Sequence, residues 1–279
     1  MTASEPRARS APRSLFFVPG SRPELLAKVS RWRPDIAVLD LEDAVPSAGK
    51  DAARDAAVTT LAETDVPTVL LVRINPPGTA WFDADLAAVA DGPADGVVLP
   101  KYESADELRE VRRRLPSTAL VVVGLESARG VADCQVLLEE PVDGAYFGAE
   151  DYIADLGGRR TPGGREALYA RSQFVLAARL AGVSAIDQAF VNIRDDDGFL
   201  ADAEEGQAMG YAGKICVHPR QVELSHQVFT PTVEQVEHAR AVVAAFDAGG
   251  VATVDGQMID EVHVRMAQRV LARADAVAN

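Results

Sequence analysis

Short apolar runs alternate along the chain with longer stretches whose apolar residues recur at helical spacing. The runs SLFFV (14–18), IAVLD (36–40), TVLLVRI (68–74), GVVLP (96–100), ALVVVGLE (119–126) and GAYFG (144–148) read as strands, as do the weaker SAID (184–187) and GKICV (213–217). Between them lie amphipathic segments such as SADELREVRRRL (104–115) and REALYARSQFVLAARLAG (165–182), the latter closing on a glycine suited to a helix C-cap. Strands this short and apolar, each followed by a helical pattern, indicate a parallel sheet covered on both faces. About eight such units predict an α/β fold of the (β/α)8, or TIM, barrel type. An open doubly wound sheet is the alternative, but the Gly-x-Gly-x-x-Gly that usually follows its first strand is missing. More chain remains than eight units need. Pro231 sets off one further helix, Gly249-Gly250 makes a flexible joint, and another helix pattern starts at about Met258. The predicted organisation is a disordered tail over 1–12, a barrel over 13–228 and a C-terminal helical extension or lid over 229–279.

Composition narrows the partners. Of 279 residues, 42 are acidic and 28 basic, and the net charge of −14 argues against a nucleic-acid or anionic-membrane surface. An anionic substrate stays open, because a metal or one buried arginine inverts the local field. The two cysteines, Cys134 and Cys216, form neither a disulfide framework nor a metal cluster, which fits a reducing cytoplasm. The N-terminus MTASEPRARSAPR is polar and lacks an apolar core, so it reads as a tail and not a signal peptide. No apolar run is long enough to span a bilayer.

In a parallel barrel the chemistry sits at the C-terminal ends of the strands. Charged residues at those positions are Asp40, Glu42 and Asp43 after strand two, Arg73 in strand three (with Asn75 after it), Lys101 after strand four, Glu126 after strand five, Glu150 and Asp151 after strand six, and His218 after strand eight. Glu126 and Asp151 finish neighbouring strands, about 4.8 Å apart. Two carboxylates that close repel unless one is protonated or a cation lies between them, and Mg²⁺ is commonly held by one or two carboxylates. The competing reading makes either residue a helix N-cap or a salt-bridge partner. Arg73, costly to bury alone, needs a carboxylate, either Glu42 or Asp40 on the protein or one on a substrate. The loop GGRRTPGGR (157–165) suits phosphate contacts or a solvated turn equally. His218, before Pro219, reads as a turn residue with a weaker case as a base, Asp195-Asp196-Asp197 as a solvated turn, and Cys216 as a packed thiol.

The segments SLFFVPGSRPEL, AVLDLEDAVP, LVRIN, VVLPKYES, GLESARG, FGAEDYIADLG, YARSQFVLAARLAG, GKICVHPRQV and DGQMID occur in that order. Together they resemble the citrate lyase β-subunit-like family of the HpcH/HpaI aldolase/citrate lyase group, which includes malyl-CoA, citramalyl-CoA and citryl-thioester lyases. The likeness covers nearly the whole chain beyond the tail. Ser127 stands where threonine is more usual, and the acidic loop FVNIRDDDGF is uncommon. The resemblance implies a barrel with a C-terminal lid, assembled as a trimer or a dimer of trimers. It implies Mg²⁺, with Mn²⁺ as a substitute, on Glu126 and Asp151, with Glu42 and Asp43 around the metal's waters. It puts Arg73 and Glu126 on the substrate and Asp260 on a lid reaching a neighbour's site. It brings the segment Pro19–Arg22 and the His218-Pro219 turn near a CoA or carrier arm. The implied reaction is reversible cleavage of a β-hydroxy acyl thioester into an acetyl-type thioester and a 2-oxo acid, with Arg73, Glu126 and Asp260 as the catalytic set. Two alternatives stand beside it: the β subunit of a lyase acting on an acyl-carrier protein, and a metal-dependent 2-oxo acid aldolase that uses no CoA.

Overall fold

The computed structural model describes residues 11–249 and 252–278. Eight parallel strands close into a barrel in chain order: β1 (Ser14–Pro19), β2 (Ile36–Asp40), β3 (Val69–Arg73), β4 (Gly96–Leu99), β5 (Leu120–Leu125), β6 (Gly144–Phe147), β7 (Ala185–Asp187) and β8 (Gly213–Cys216). Closure is made by β8 on β1, in the register Ser14↔Lys214 to Phe16↔Cys216. The helices are α1 (Val29–Trp32), α2 (Lys50–Glu63), α3 (Phe82–Ala90), α4 (Ala105–Arg114), α5 (Ala128–Ala132), α6 (Cys134–Leu137), α7 (Ala149–Asp155), α8 (Arg165–Ala181), α9 (Asp196–Met209), α10 (Pro219–Phe229), α11 (Val233–Gly249) and α12 (Glu261–Ala278). The TIM barrel read from the sequence is therefore present, with strand ends within a residue or two of those expected. α8 ends as the sequence indicates, on Gly182 in the left-handed region (φ 71°).

One side chain from every strand, Leu15, Val38, Leu71, Val98, Val122, Tyr146, Ile186 and Ile215, packs into a layer that fills the barrel interior. Such a layer makes the interior a solid core and not a pore. β7 is the shortest strand of the barrel, and a buried ionic latch backs it from outside. Arg171 of α8 holds Asp187 through Nε and Nη2 (3.0 and 2.8 Å), and Lys214 of β8 reaches the same carboxylate (2.9 Å) and Asp202 of α9. Removing one partner from such a network leaves a buried charge uncompensated, at a cost of about 3–5 kcal/mol.

Pro12–His226 is one compact unit, and Gln227–Asn279 belongs to a second. Within the second, Ala239, Val242, Ile259, Val264 and Ala267 form the core between α11 and α12. Here the structure departs from the sequence reading. The helix expected from about Met258 begins at Glu261, because Ala252–Val254 (β9) and Gln257–Ile259 (β10) form an antiparallel hairpin. Asp255 (φ 51°) and Gly256 (φ 78°) both adopt the left-handed conformation that a two-residue hairpin turn demands. Of the expected joint, Gly249 is the last residue of α11 and Gly250 lies outside the described residues, as do residues 1–10 of the expected tail. No helix among the described residues is long and apolar enough to cross a membrane.

Candidate active site

The C-terminal strand ends surround a cavity of about 360 Å³, lined in part by Pro19, Asp43, Arg73, Glu126, Tyr146 and Asp151. Its first wall is the turn after β2. Asp40 closes that turn on itself, accepting from the Glu42 amide (2.8 Å) and the Ala44 amide (3.2 Å). From behind, buried Lys50 donates to the carbonyls of Leu41 (2.9 Å) and Glu42 (2.8 Å), and Asn75, itself tied to buried Asp85, donates to Leu41 (3.1 Å). The backbone carrying Glu42 and Asp43 is thereby fixed on both sides.

Arg73 leaves the end of β3 and is only 12% exposed. Its Nε and Nη2 grip the Asp40 carboxylate (2.7 and 2.6 Å), and Nη1 lies 3.0 Å from Glu42 Oε2, while the guanidinium stacks 4.9 Å over the Phe17 ring. Both readings of its partner meet here, since it is paired with protein carboxylates and also faces the cavity. The fork uses one hydrogen on each of Nε and Nη2, so donors remain on both terminal nitrogens. Burial opposes its charge, but the hydrogen bonds and charge of Asp40, with Tyr146 and Glu42, hold its pKa well above the ordinary value.

Glu126 follows β5 and is 2% exposed. It folds back toward the barrel interior, where the Tyr146 hydroxyl donates to its Oε1. Two glycines leave it room. A Cβ on Gly124 would lie 2.1 Å from Glu126 Oε1, and one on Gly148 2.5 Å from its Cγ. Burial pushes the Glu126 pKa up to about 7, with the charges of Glu42 and Asp151 adding to the rise; Arg73 and the Tyr146 hydrogen bond pull the other way. Glu126 is not a helix cap: Ser127 takes that role for α5, accepting from the Gly130 amide (3.0 Å). Asp151, in contrast, does lie in the first turn of a helix, α7.

Lys101 joins the two sides. Its Nζ lies 2.7 Å from Glu42 Oε1, 3.5 Å from Asp43 and 3.5 Å from Asp151. Burial raises the Glu42 pKa against the opposing pull of Arg73 and Lys101. Glu42 Oε2, though near Arg73, is out of line for a hydrogen bond and is a buried acceptor without a donor among the described residues.

Other residues singled out in the sequence fall elsewhere. Arg22 is exposed and paired with Glu24 (3.3 Å). His218 precedes α10, where its Nδ1 accepts from the Arg220 amide (3.2 Å), as the turn reading has it. Within the loop 157–165, Arg160 reaches back to Glu150 (3.0 Å). Asp260 belongs to the second unit and caps α12. Its Oδ1 meets the amides of Val262 (2.9 Å) and His263 (3.3 Å) and the His263 ring (2.7 Å), and the His263 hydrogen bond leads the causes that lower its pKa. Asp40 takes the place sequence reasoning offered it as a partner of Arg73, whereas two residues of the site, Lys101 and Tyr146, were given no role. A tyrosine inside a buried strand is itself a signal, because its hydroxyl needs a partner.

A filled parallel barrel with a carboxylate-rich cavity at its C-terminal face, gripping one arginine, defines a class that the sequence comparisons specify. Residues 13–219 match the HpcH/HpaI aldolase/citrate lyase family, and residues 168–278 match the carbon–carbon bond lyases of the TIM-barrel fold. The chain belongs to the first of these families and is an enzyme of carbon–carbon bond chemistry. It is 44% identical to a citrate lyase subunit beta-like protein of Deinococcus radiodurans, over 93% of this chain and 96% of that one. It is 34% identical to a (3S)-malyl-CoA thioesterase of Cereibacter sphaeroides, over 95% of each. Among solved structures, CitE of Mycobacterium tuberculosis in complex with magnesium, acetoacetate and coenzyme A superposes with a TM-score of 0.84 at 35% identity, covering 96% of this chain and 99% of that one.

Proposed function

We propose that the protein is a Mg²⁺-dependent lyase that splits, or in reverse forms, β-hydroxy acyl thioesters of the malyl-, citramalyl- or citryl-CoA kind, giving an acetyl-type thioester and a 2-oxo acid. The observation that carries this reading is the convergence of Glu126, Asp151 and Arg73 on one cavity. The donor set suits a hard divalent cation, which takes oxygen ligands. Glu126 is a buried carboxylate whose ionised form is disfavoured in the ion-free protein, and Glu42 Oε2 is an acceptor that a hydrated cation satisfies. Glu126 and Asp151 would hold the ion, with Mn²⁺ as a substitute, and the ion would act as a Lewis acid on the oxygens of the 2-oxo acid half.

The chain's own groups do the rest. Tyr146 fixes Glu126 in its rotamer, and Asp40 fixes Arg73. As the bond between the hydroxyl carbon and the thioester α-carbon breaks, its electron pair passes into the thioester, and negative charge builds on the thioester oxygen. The unused Arg73 donors meet that charge. A carboxylate base takes the hydroxyl proton, and a proton returns to the α-carbon. Asp260, supplied by a neighbouring chain of a homotrimer or hexamer, is the proposed base. The hydrogen bonds that anchor Oδ1 lower its pKa, which weakens it as a base, and leave Oδ2 to receive the proton. Pro19, at the cavity wall, with Arg22 and His218 nearby in sequence to the strand ends, is assigned to the CoA or carrier arm.

The deciding experiment incubates the protein with malyl-, citramalyl- and citryl-CoA, with and without Mg²⁺, and follows both products. Mg²⁺-dependent release of a 2-oxo acid with an acyl-CoA supports the lyase. Release of CoA with an intact hydroxy acid makes it a hydrolase, as the name of the Cereibacter relatives describes. Turnover only of a carrier-protein thioester, or only of free acids, moves the assignment to a citrate lyase subunit or to a simple aldolase.

A further inference from the structure

Lys101 has two features that no role assigned above requires. The first is its backbone. With φ at 49°, it is one of three non-glycine residues in the left-handed region, and the only one of them at the barrel's C-terminal face among the described residues. A side chain there costs roughly 1–2 kcal/mol, which a glycine would not incur. The conformation is held from both sides, by β4 before it and by fully buried Tyr102 after it, whose amide bonds the Gly124 carbonyl on β5 (2.9 Å). The second is the position of the ammonium group. It stands among carboxylates from two separated strand ends: Glu42 and Asp43 after β2, and Asp151 at the start of α7. Arg73 does not reach that far round, its ion-pair partners being Asp40, Glu42 and Asp43. Lys101 is therefore the cation that ties Asp151 to the opposite wall.

We propose that Lys101 is a positioning residue that sets the site's affinity for a divalent cation: its ammonium gathers Glu42, Asp43 and Asp151 in the ion-free protein and competes with the ion for Asp151. The proposal rests on the reading that Glu126 and Asp151 hold that ion. The sign follows from electrostatics. An ion arriving at Asp151 must share the carboxylate with a fixed positive charge and is repelled by it, so the lysine lowers affinity while keeping the ligands in place. A purely structural tie would do the opposite, because its loss would let Asp151 drift and would weaken binding. Competition of this kind keeps the empty protein intact without an ion and leaves the ion exchangeable.

Isothermal titration of Mn²⁺ into the full-length protein, without substrate, tests this in wild type, Lys101→Met and Lys101→Arg. The methionine variant is expected to bind Mn²⁺ at least about tenfold tighter, the order that removing one charge a few ångströms from a dication produces even at the dielectric constant of water. The arginine variant, which keeps the charge, is expected to stay within about threefold of wild type. In EDTA the methionine variant should melt below wild type, and saturating Mn²⁺ should close that gap, since the ion then compensates the carboxylates itself. Wild-type binding with unchanged or weaker affinity in Lys101→Met overturns the role of Lys101 alone. Absence of Mn²⁺ binding in wild type overturns the ion site and this proposal with it. If Lys101→Met fails to fold, Lys101→Gln gives the same decision.

Discussion

Glu126 stores a pH-dependent strain in the ion-free protein, and Glu126→Gln should release it. Its pKa is raised to about 7 from a reference of 4.5. The native state therefore binds a proton more tightly than the unfolded chain does. Stability contributed at this position is intact below about pH 4.5, falls as the pH climbs between the two values, and is fully lost above about pH 7. The difference of about 2.5 units corresponds to roughly 3 kcal/mol at 1.36 kcal/mol per unit. Glutamine has the same shape, carries no charge, and can still accept from the Tyr146 hydroxyl. In EDTA at pH 8, Glu126→Gln should be more stable than wild type by up to about 3 kcal/mol, or roughly 6–12 °C in melting temperature. At pH 4.5 the two proteins should coincide. Mg²⁺ should raise the wild-type midpoint and leave the variant's unmoved, and lyase turnover should be lost. Urea titrations at the two pH values, with and without Mg²⁺, give all four numbers. A variant no more stable than wild type at pH 8, or equally stabilised at both pH values, refutes the argument that burial disfavours this carboxylate.

Three further outcomes are expected. Arg73→Lys keeps the charge but loses the fork on Asp40, so turnover should fall roughly a hundredfold or more while the cooperative unfolding transition survives; near-wild-type turnover would confine Arg73 to a structural role. Tyr146→Phe removes a hydrogen bond that lowers the Glu126 pKa, so the stability loss of the ion-free protein, which begins at the same pH, should continue to a higher pH than in wild type, as read from urea midpoints between pH 5 and 9. Glu126→Ala and Asp260→Asn proteins, each inactive alone, should regain part of the activity after subunit exchange, and mixed oligomers that stay inactive would place Asp260 outside a neighbour's site.

The barrel was legible because most of its strands are short apolar runs, several of which end on or next to a charged residue; the run around Val121–Leu125 stops at Glu126 just as the ladder does. The hairpin in the second unit was not, although Asp255-Gly256 between alternating residues is a strong turn signal. Its strands ATV and QMI are too short to stand out beside the helix that follows. Glu126, Asp151 and Arg73 could be picked out because a charge at the end of an apolar strand is conspicuous. Tyr146 gave only the weaker signal of a hydroxyl in need of a partner, and which partner follows only once its strand is in register with that of Glu126. The reach of Lys101 depends on a left-handed backbone that no residue beside it announces. Asp40 was legible as one of two candidate partners of Arg73, and the pairing Asp40↔Arg73 of adjacent strands is what sets them side by side.

The filled layer inside the barrel has a consequence for traffic. Tyr146 and Ile215 belong both to that layer and to the cavity wall, so the cavity ends on packed side chains and has no rear exit. Glu126, bonded to Tyr146, sits next to this floor. Under the proposed reaction the fragment held by Glu126 is the deeper of the two products, and the thioester lies between it and the mouth. The well then imposes a queue: the acyl thioester must depart before the 2-oxo acid can, and in the synthetic direction the 2-oxo acid must be seated before the thioester enters.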